Sequence, residues 1–399
     1  MKQPEAILDF GTSKIACLVA NCSGDGSFEV FGVGVSEYRG IKKSRFLDEP
    51  GLLNAIKGAV EAAQSEANRR IKEVYVGAPG SFVEIVCSQA EIDLGKARDI
   101  THADLDTLIE ASYDAIDYLD PNEYVYTQSM PMYFRVDDNL RREAPIGQPG
   151  QRLWGAVAHV FVQKDFVSIV EELLDELGIA PISFIYSTYA EGMMIVPSER
   201  MLDDTVIIDA GYHETDICIL RNGVPVYKNT LPIGGIHFAN DIYYVLQIAP
   251  EVAETIKRRH VFGLDYTDRT DTFRTVSGRM EDFEYEEIQD IIEARAEEFA
   301  DLLVDTIENA PVKIRQDTDI YVCGGGFAMM RGSREFLQAQ TGYSIKYSIP
   351  WLPRNNSANY ISIYGILKFL FSSGLQKESI TSGFKNSAMV RALVNFFTK

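Results

Sequence analysis

Three short segments of the 399-residue chain carry residue types suited to phosphate chemistry. The first is Asp9-Phe10-Gly11-Thr12-Ser13-Lys14. A tight turn built on Gly11 aims successive backbone N–H groups at one point, a nest that holds phosphate oxygens. Thr12 and Ser13 add hydroxyl donors and Lys14 a cation. Asp9, at the end of a strand, offers a carboxylate to a hydrated Mg²⁺ beside the phosphates. Taken alone, the segment reads equally as an ordinary hairpin with glycine where the turn needs it. The second segment, Asp209-Ala210-Gly211-Tyr212-His213-Glu214-Thr215-Asp216, repeats the Asp-x-Gly turn 200 residues later. Two such turns facing each other would clamp one polyphosphate from both sides. The third, Gly324-Gly325-Gly326 with Gly332 behind it, lets the backbone approach a flat ligand such as a purine base. His102, His159, His237 and His260 show no ligand spacing, and none is assigned to a metal.

These turns need strands to hold them. Ala6-Ile7-Leu8 and the apolar run 15–20 flank the first turn. Runs 205–208 and 217–220 flank the second, and Arg221-Asn222-Gly223 turns the chain into 224–227. A strand–turn–strand unit repeated at domain spacing implies two similar halves. Between them, 52–71 reads as a helix, 74–76 as a strand ended by Gly77-Ala78-Pro79-Gly80, and Thr101 as the cap of a helix reaching about residue 118. Segment 124–136 is strand-like, 141–151 a Pro/Gly loop, and 166–177 a helix stopped by Gly178. In the second half, 285–310 is the longest helical pattern, 320–323 a strand running into the glycines, and 333–340 a helix. Strands alternating with helices predict α/β domains with mixed sheets.

Composition narrows the function. Apolar residues at 46% and charged residues at 24% are ordinary for a globular protein. A net charge of −20 argues against nucleic acid as a partner, because phosphate binding needs a basic surface. Five cysteines without a C-x-x-C pair predict buried free thiols in a reducing cytosol, with neither a disulfide framework nor a zinc site. The N-terminus does not read as a signal peptide. No apolar run approaches the roughly 18 residues of a membrane span.

The order of the motifs, Asp-x-Gly-Thr-Ser-Lys, then Asp-x-Gly, then a strand ending in three glycines, resembles the actin, Hsp70 and sugar-kinase superfamily. Within it the chain is most similar to the FtsA family of bacterial cell-division proteins. Further segments carrying the likeness are 7–20, Arg98-Asp99-Ile100-Thr101-His102-Ala103-Asp104, 144–153, Leu231-Pro232-Ile233-Gly234-Gly235 with Asn240-Asp241-Ile242, and 253–257. The resemblance implies an α/β fold of the two-lobed actin/Hsp70 type with an FtsA-type inserted subdomain, and ATP with Mg²⁺ between the lobes. It divides the chain into 1–79 and 163–203 (subdomain 1A), 80–162 (the insert, 1C), 204–244 and 311–371 (2A), 245–310 (2B), a linker at 372–386 and a terminal helix at 387–399. By the same resemblance Asp9, Gly11, Thr12, Ser13 and Lys14 form the first phosphate loop, and Asp209 and Gly211 open the second. Gly234 and Gly235 approach the phosphates, Gly324, Gly325 and Gly326 complete the nucleotide site, and Asp9 and Asp209 hold Mg²⁺ through water. Glu254 and Lys257 match ribose contacts; three residues apart on one helical face, they read without the family as a surface ion pair. Arg295 matches a basic position that would receive the acidic tail of FtsZ, although Glu293, Glu297 and Glu298 beside it suit an exposed helix arginine.

The implied role is an adaptor scaffold, at most a slow ATPase, that binds ATP, self-assembles and ties FtsZ to the inner face of the cell membrane from the cytoplasm. A pilus-assembly adaptor of the PilM type, a scaffold that has lost nucleotide, and a metabolite kinase stay open beside it; no motif supports a catalytic aspartate for the kinase. One departure stands out. The family's second loop reads Asp-x-Gly-Gly-Gly-Thr, whereas here Tyr212 and His213 replace glycines and Glu214 replaces the hydroxyl. Bulky residues are expected to resist the left-handed backbone glycine permits, and Glu214 to repel the terminal phosphate. A histidine general base at 213 is the weaker reading of that substitution.

The C-terminus carries its own pattern. Residues 375–399 have a net charge of +3 against −20 for the whole chain, which leaves −23 for the rest. Met389, Ala392, Leu393, Phe396 and Phe397 fall on one helical face, widened by Val390 and Val394. Lys385, Arg391 and Lys399 suit anionic headgroups. Thirteen residues are too few to span, so the segment predicts an interfacial helix.

Overall fold

Buried, β-branched runs build two sheets with the same plan. In the computed structural model, which describes residues 4–23, 27–348, 350–353 and 357–372, β1 (Glu5–Phe10), β2 (Lys14–Cys22), β3 (Phe28–Glu37) and β4 (Glu73–Ala78) join β9 (Ala180–Tyr186) in the order β3-β2-β1-β4-β9. The second sheet uses β10 (Thr205–Ala210), β11 (Thr215–Arg221), β12 (Val224–Leu231), β15 (Asp319–Cys323) and β16 (Ser344–Tyr347), in the order β12-β11-β10-β15-β16. In each, an antiparallel hairpin is followed outward by parallel strands: β1 pairs with β4, and β10 with β15, in parallel. Each Asp-x-Gly turn therefore sits at the same corner of its sheet.

Helices cover these sheets. α1 (Glu49–Ala67) lies on β2 and β3. The 52–71 expectation placed it late. Asp48 caps it, its Oδ1 accepting from Gly51 N at 3.0 Å, Pro50 occupies the first turn, and Asn68 stops it in the left-handed conformation. α4 (Ser187–Ile195) and α9 (Ile361–Ser372) pack on each other between the sheets; neither is apparent from sequence. α5 (Gly235–Leu246), α6 (Pro250–Arg259), α7 (Tyr285–Asn309) and α8 (Ser333–Thr341) surround the second sheet, with a small hairpin of β13 (Thr270–Arg274) and β14 (Met280–Glu284) beyond them.

A third sheet, order β5-β8-β6-β7, uses β5 (Val83–Asp99), β6 (Tyr124–Val136), β7 (Asn139–Arg141) and β8 (Pro149–Gln163). It carries α2 (His102–Asp114), with its own small core of Leu105, Leu108, Ile109, Phe134, Leu153 and Val157, and is followed by α3 (Lys164–Glu176). The capping box expected at Thr101 is present: Thr101 N donates to Asp104 Oδ2 at 2.8 Å. Arg98 grips the same Asp104 through two hydrogen bonds of 2.8 and 2.6 Å. α2 ends at Asp114, four residues short of the expected stop, and β8 begins inside the expected 141–151 loop. His159 is wholly buried here, held by Ser88, Ser112 and Ser129 at 3.0, 3.1 and 2.6 Å. Four cysteines are buried as expected, but Cys87 on β5 is exposed. Among the described residues no helix is long and apolar enough to cross a membrane.

Candidate functional site

The two repeated turns face each other across a cleft of about 350 Å³, in the range of small-molecule sites. Asp9, Gly11, Thr12, Ser13, Lys14, Asp209, Gly211, Glu254, Lys257, Gly324 and Gly325 all line it. In the first hairpin, Gly11 N donates to Lys14 O at 3.0 Å. Asp9 accepts from Ser187 Oγ at 3.0 Å and Ser362 Oγ at 2.5 Å. Burial raises its pKa; those hydroxyls and Lys14 oppose the rise. Gly77 makes room for this carboxylate, since a Cβ there would lie 2.4 Å from Asp9 Oδ1. Lys14 places its ammonium 3.8 Å from the centre of the Tyr360 ring. Burial draws its pKa down to about 8, against the pull of Asp9 and Asp209.

Across the cleft, Gly211 N donates to Glu214 O at 3.0 Å. Burial, then the nearby Asp216 and Asp9, pushes Asp209 up to about 7. Glu191 on α4 is driven well above the usual carboxylate range by burial and by Asp209, and the Cys323 thiol donates to its Oε2 at 3.3 Å. Asp216, opposite Asp209 in the hairpin register, accepts from Tyr186 Oη at 2.7 Å, Thr188 Oγ1 at 2.6 Å and Thr230 Oγ1 at 2.7 Å. Tyr186 and Thr188 come from the first half and Thr230 from the second, so this carboxylate joins the halves at the cleft floor. Asp9 and Asp209 share the single ammonium of Lys14, with Glu191 and Asp216 close by, and leave negative charge that an oxygen-loving cation would neutralise; Asp9 and Asp209 fit Mg²⁺ on that ground.

The expected glycines divide into two groups. Gly324 (φ +92°) and Gly325 lie on the cleft wall. Gly326 sits behind the second hairpin, its N–H donating to Ala210 O at 2.7 Å, and a Cβ there would meet Gly211 O at 2.1 Å. Gly234 and Gly235 lie in the same place: Gly235 N donates to Gly211 O at 3.0 Å, and a Cβ on Gly234 would meet Tyr212 O at 2.6 Å. These three let backbones cross beneath the second hairpin; the Gly235 and Gly326 amides face its carbonyls, while Gly234 N donates to His237 Nδ1 at 3.0 Å. Glu254 bridges Lys257 at 2.9 Å and Arg258 at 2.6 Å on the opposite wall, and Lys257 Nζ donates to Gly235 O at 3.2 Å. Far from being a surface pair, Lys257 is buried, which lowers its pKa against the pull of Glu254.

The altered second loop is unstrained. Among the described residues, neither Tyr212 nor His213 has positive φ, so the expected resistance to a left-handed backbone does not arise. Tyr212 instead stacks under Arg39, its ring centre 5.3 Å away. His213 N donates to Thr12 Oγ1 at 3.2 Å, which ties the two turns together. Ser187, Thr188, Glu191, Tyr360 and Ser362 were not anticipated; they arrive on α4, α9 and the short turn before α9. Arg295 on α7 is paired with Asp241 on α5 at 2.6 and 2.9 Å and with Glu298. Its principal partner is thus a helix neighbour more than fifty positions away rather than the adjacent acids. Met389, Val390, Arg391, Leu393, Val394, Phe396 and Phe397 lie outside the described residues.

Residues 206–365 match the family model described as "Cell division protein FtsA". Proteins of that name from Buchnera aphidicola and Pseudomonas aeruginosa are each 24% identical, over 88% and 93% of this chain and 84% and 89% of their own lengths. Among solved structures, a PilM–PilN type IV pilus biogenesis complex gives a TM-score of 0.62 at 16% identity, covering 91% of this chain and 97% of that one. MreB5 of Spiroplasma citri bound to ADP gives 0.56 at 15% identity, covering 96% and 99%. At such identities the structural likeness establishes the fold alone, which is actin-like. The family match over the second half and the named relatives over most of the chain carry the rest: the chain is similar to the cell-division protein FtsA.

Proposed function

We propose that the cleft binds an adenine nucleotide with Mg²⁺ and that the bound nucleotide tunes the assembly of an adaptor. The observation carrying this reading is the convergence of two equivalent Asp-x-Gly hairpins, with Asp9 and Asp209, on one cleft that also has Gly324, Gly325, Glu254 and Lys257 on its walls. Asp9 and Asp209 would hold the Mg²⁺, which supplies charge neutralisation for the phosphates. Lys14 and the Thr12 and Ser13 hydroxyls would orient phosphate oxygens. Lys257 and Glu254 would bind the ribose, and Gly324 and Gly325 would border the base. The proposed role is a scaffold with slow turnover at most.

In this reading the chain self-assembles and sits at the cytoplasmic face of the cell membrane, held by residues 387–399 beyond a linker at 372–386. The lobe at 245–310 receives the acidic FtsZ tail. Arg295 would have to exchange Asp241 for a tail carboxylate to take part. In this reading the first and third sheets would belong to 1A with 1C, and the second to 2A with 2B.

Thermal denaturation with Mg·ATP and Mg·ADP tests the nucleotide step. Millimolar nucleotide at 100 times Kd should add about 2.7 kcal/mol of stability, and Asp9→Ala should remove most of that gain. A midpoint that does not move with either nucleotide overturns the reading.

A further inference from the structure

The nucleotide reading accounts for every charged group at the hairpin tips except Glu214. Its side chain lines the cleft yet is only 8% exposed, because it crosses from the second half to the first. There its Oε1 accepts from the backbone N–H of Lys43 at 2.5 Å. Lys43 is in a two-residue turn closed by Lys42 N to Arg45 O at 3.0 Å and Arg45 N to Lys42 O at 3.2 Å. Lys43 and Ser44 are both left-handed, at φ 50° and 55°. That turn normally recruits glycine or asparagine, so here it needs outside support. Ser44 Oγ, donating to Ser81 O at 2.5 Å, supplies one prop and the Glu214 carboxylate the other.

We infer that Glu214 sets the length of polyphosphate the cleft accepts, making it a site for a nucleoside diphosphate in preference to a triphosphate; the inference rests on the nucleotide reading above. On the nucleotide reading, Glu254, Lys257, Gly324 and Gly325 would hold the nucleoside end, so the phosphates would run toward the hairpin tips. The tips already touch, through His213 N and Thr12 Oγ1 at 3.2 Å, and Glu214 emerges beside that contact. The last phosphate is the group that meets it. Glu214 already does there what a terminal phosphate oxygen would do, accepting a backbone N–H from the opposite half. A third phosphate brings further negative charge against a half-dry carboxylate and must displace it from Lys43.

Calorimetric titration of the full chain with ADP and with ATP, both in excess Mg²⁺, tests this. Glu214→Gln keeps an acceptor for Lys43 and removes the charge; Glu214→Ala removes both. The intact chain should bind ADP about tenfold or more tighter than ATP. Glu214→Gln should leave ADP affinity within about twofold and bring ATP to within about threefold of ADP. Hydrogen exchange at the Lys43 amide should be slow in the intact chain and in Glu214→Gln, and at least about tenfold faster in Glu214→Ala. An ATP-to-ADP ratio that is the same in the intact chain and Glu214→Gln, with binding retained, overturns the role of Glu214 and leaves the nucleotide site standing. Failure of both nucleotides to bind the intact chain overturns the two together.

Discussion

At the scale of single residues, the cleft is an unbalanced set of charges. Asp9, Glu191, Asp209 and Asp216 crowd together, and Lys14, which faces Asp9 and Asp209, has its own pKa drawn down to about 8. Without a cation the site keeps protons instead. Asp209 has its pKa raised from 3.8 to about 7. A group whose folded pKa is raised contributes stability that is complete below its unfolded pKa and is lost as the pH rises through the folded one. The ligand-free protein should therefore lose stability between about pH 4 and pH 7 through this group. Each tenfold change in proton affinity between the folded and unfolded chain is worth about 1.4 kcal/mol. Asp209→Asn should stabilise the ligand-free chain by on the order of 2 kcal/mol at pH 8 and leave it nearly unchanged at pH 4. Melting curves across that range check this, and parallel pH profiles for the two proteins would sink it.

At the scale of elements, close backbone contact decides the positions. α1 reaches the first sheet because β3 offers Gly32 and Gly34 beneath it. A Cβ on Gly34 would lie 1.8 Å from Ala59 O, and one on Gly32 would lie 2.2 Å from Ala63 O. Gly34→Ala must lift a 19-residue helix off its sheet, at a cost of about 2–3 kcal/mol. Gly58→Ala, on the same helix, meets only Ser36, its nearest atom at 3.3 Å. It should be neutral or gain up to about 1 kcal/mol. Denaturant titration of the pair separates backbone crowding from helix propensity; equal destabilisation would contradict the packing argument.

Legibility from sequence followed the same division. The hairpins around Asp9 and Asp209 were readable because each is a buried apolar run broken by glycine, a signal contained in a dozen residues. β5 was not, since most of its 17 residues are half or fully exposed and their charges hide the alternation. Ser187, Thr188 and Ser362 are single hydroxyls of common type, brought to Asp9 and Asp216 by helices 178 and more residues from the first turn. No local spacing marks such residues; only the packing of α4 against α9 selects them. The Tyr212 and His213 substitutions were legible as departures, but their ease was not, because the turn achieves its shape without positive φ.

At the scale of the whole molecule, charge is segregated. A net of −23 on residues 1–374 would be repelled by an anionic surface, so the proposed attachment would depend on the +3 terminal segment. α9 ends at Ser372 and is packed against α4, with Lys368 Nζ donating to Met193 O at 2.5 Å. Phe396→Glu with Phe397→Glu, or removal of 386–399, should abolish co-sedimentation with anionic vesicles, each basic residue contributing about 1 kcal/mol. Pelleting like the intact chain would show that another surface binds lipid.

The matching strand order of the two sheets has a further consequence. Because the hairpins correspond at a constant offset of 200, Asp9 faces its counterpart Asp209, but Lys14 corresponds to Glu214 and Ala16 to Asp216. A frame with near-twofold symmetry thus carries a cation in one copy and an anion in the other. The cleft is vectorial: it can tell head from tail in whatever enters it, and a guest with two identical ends, such as pyrophosphate, would meet a welcoming half and a refusing one.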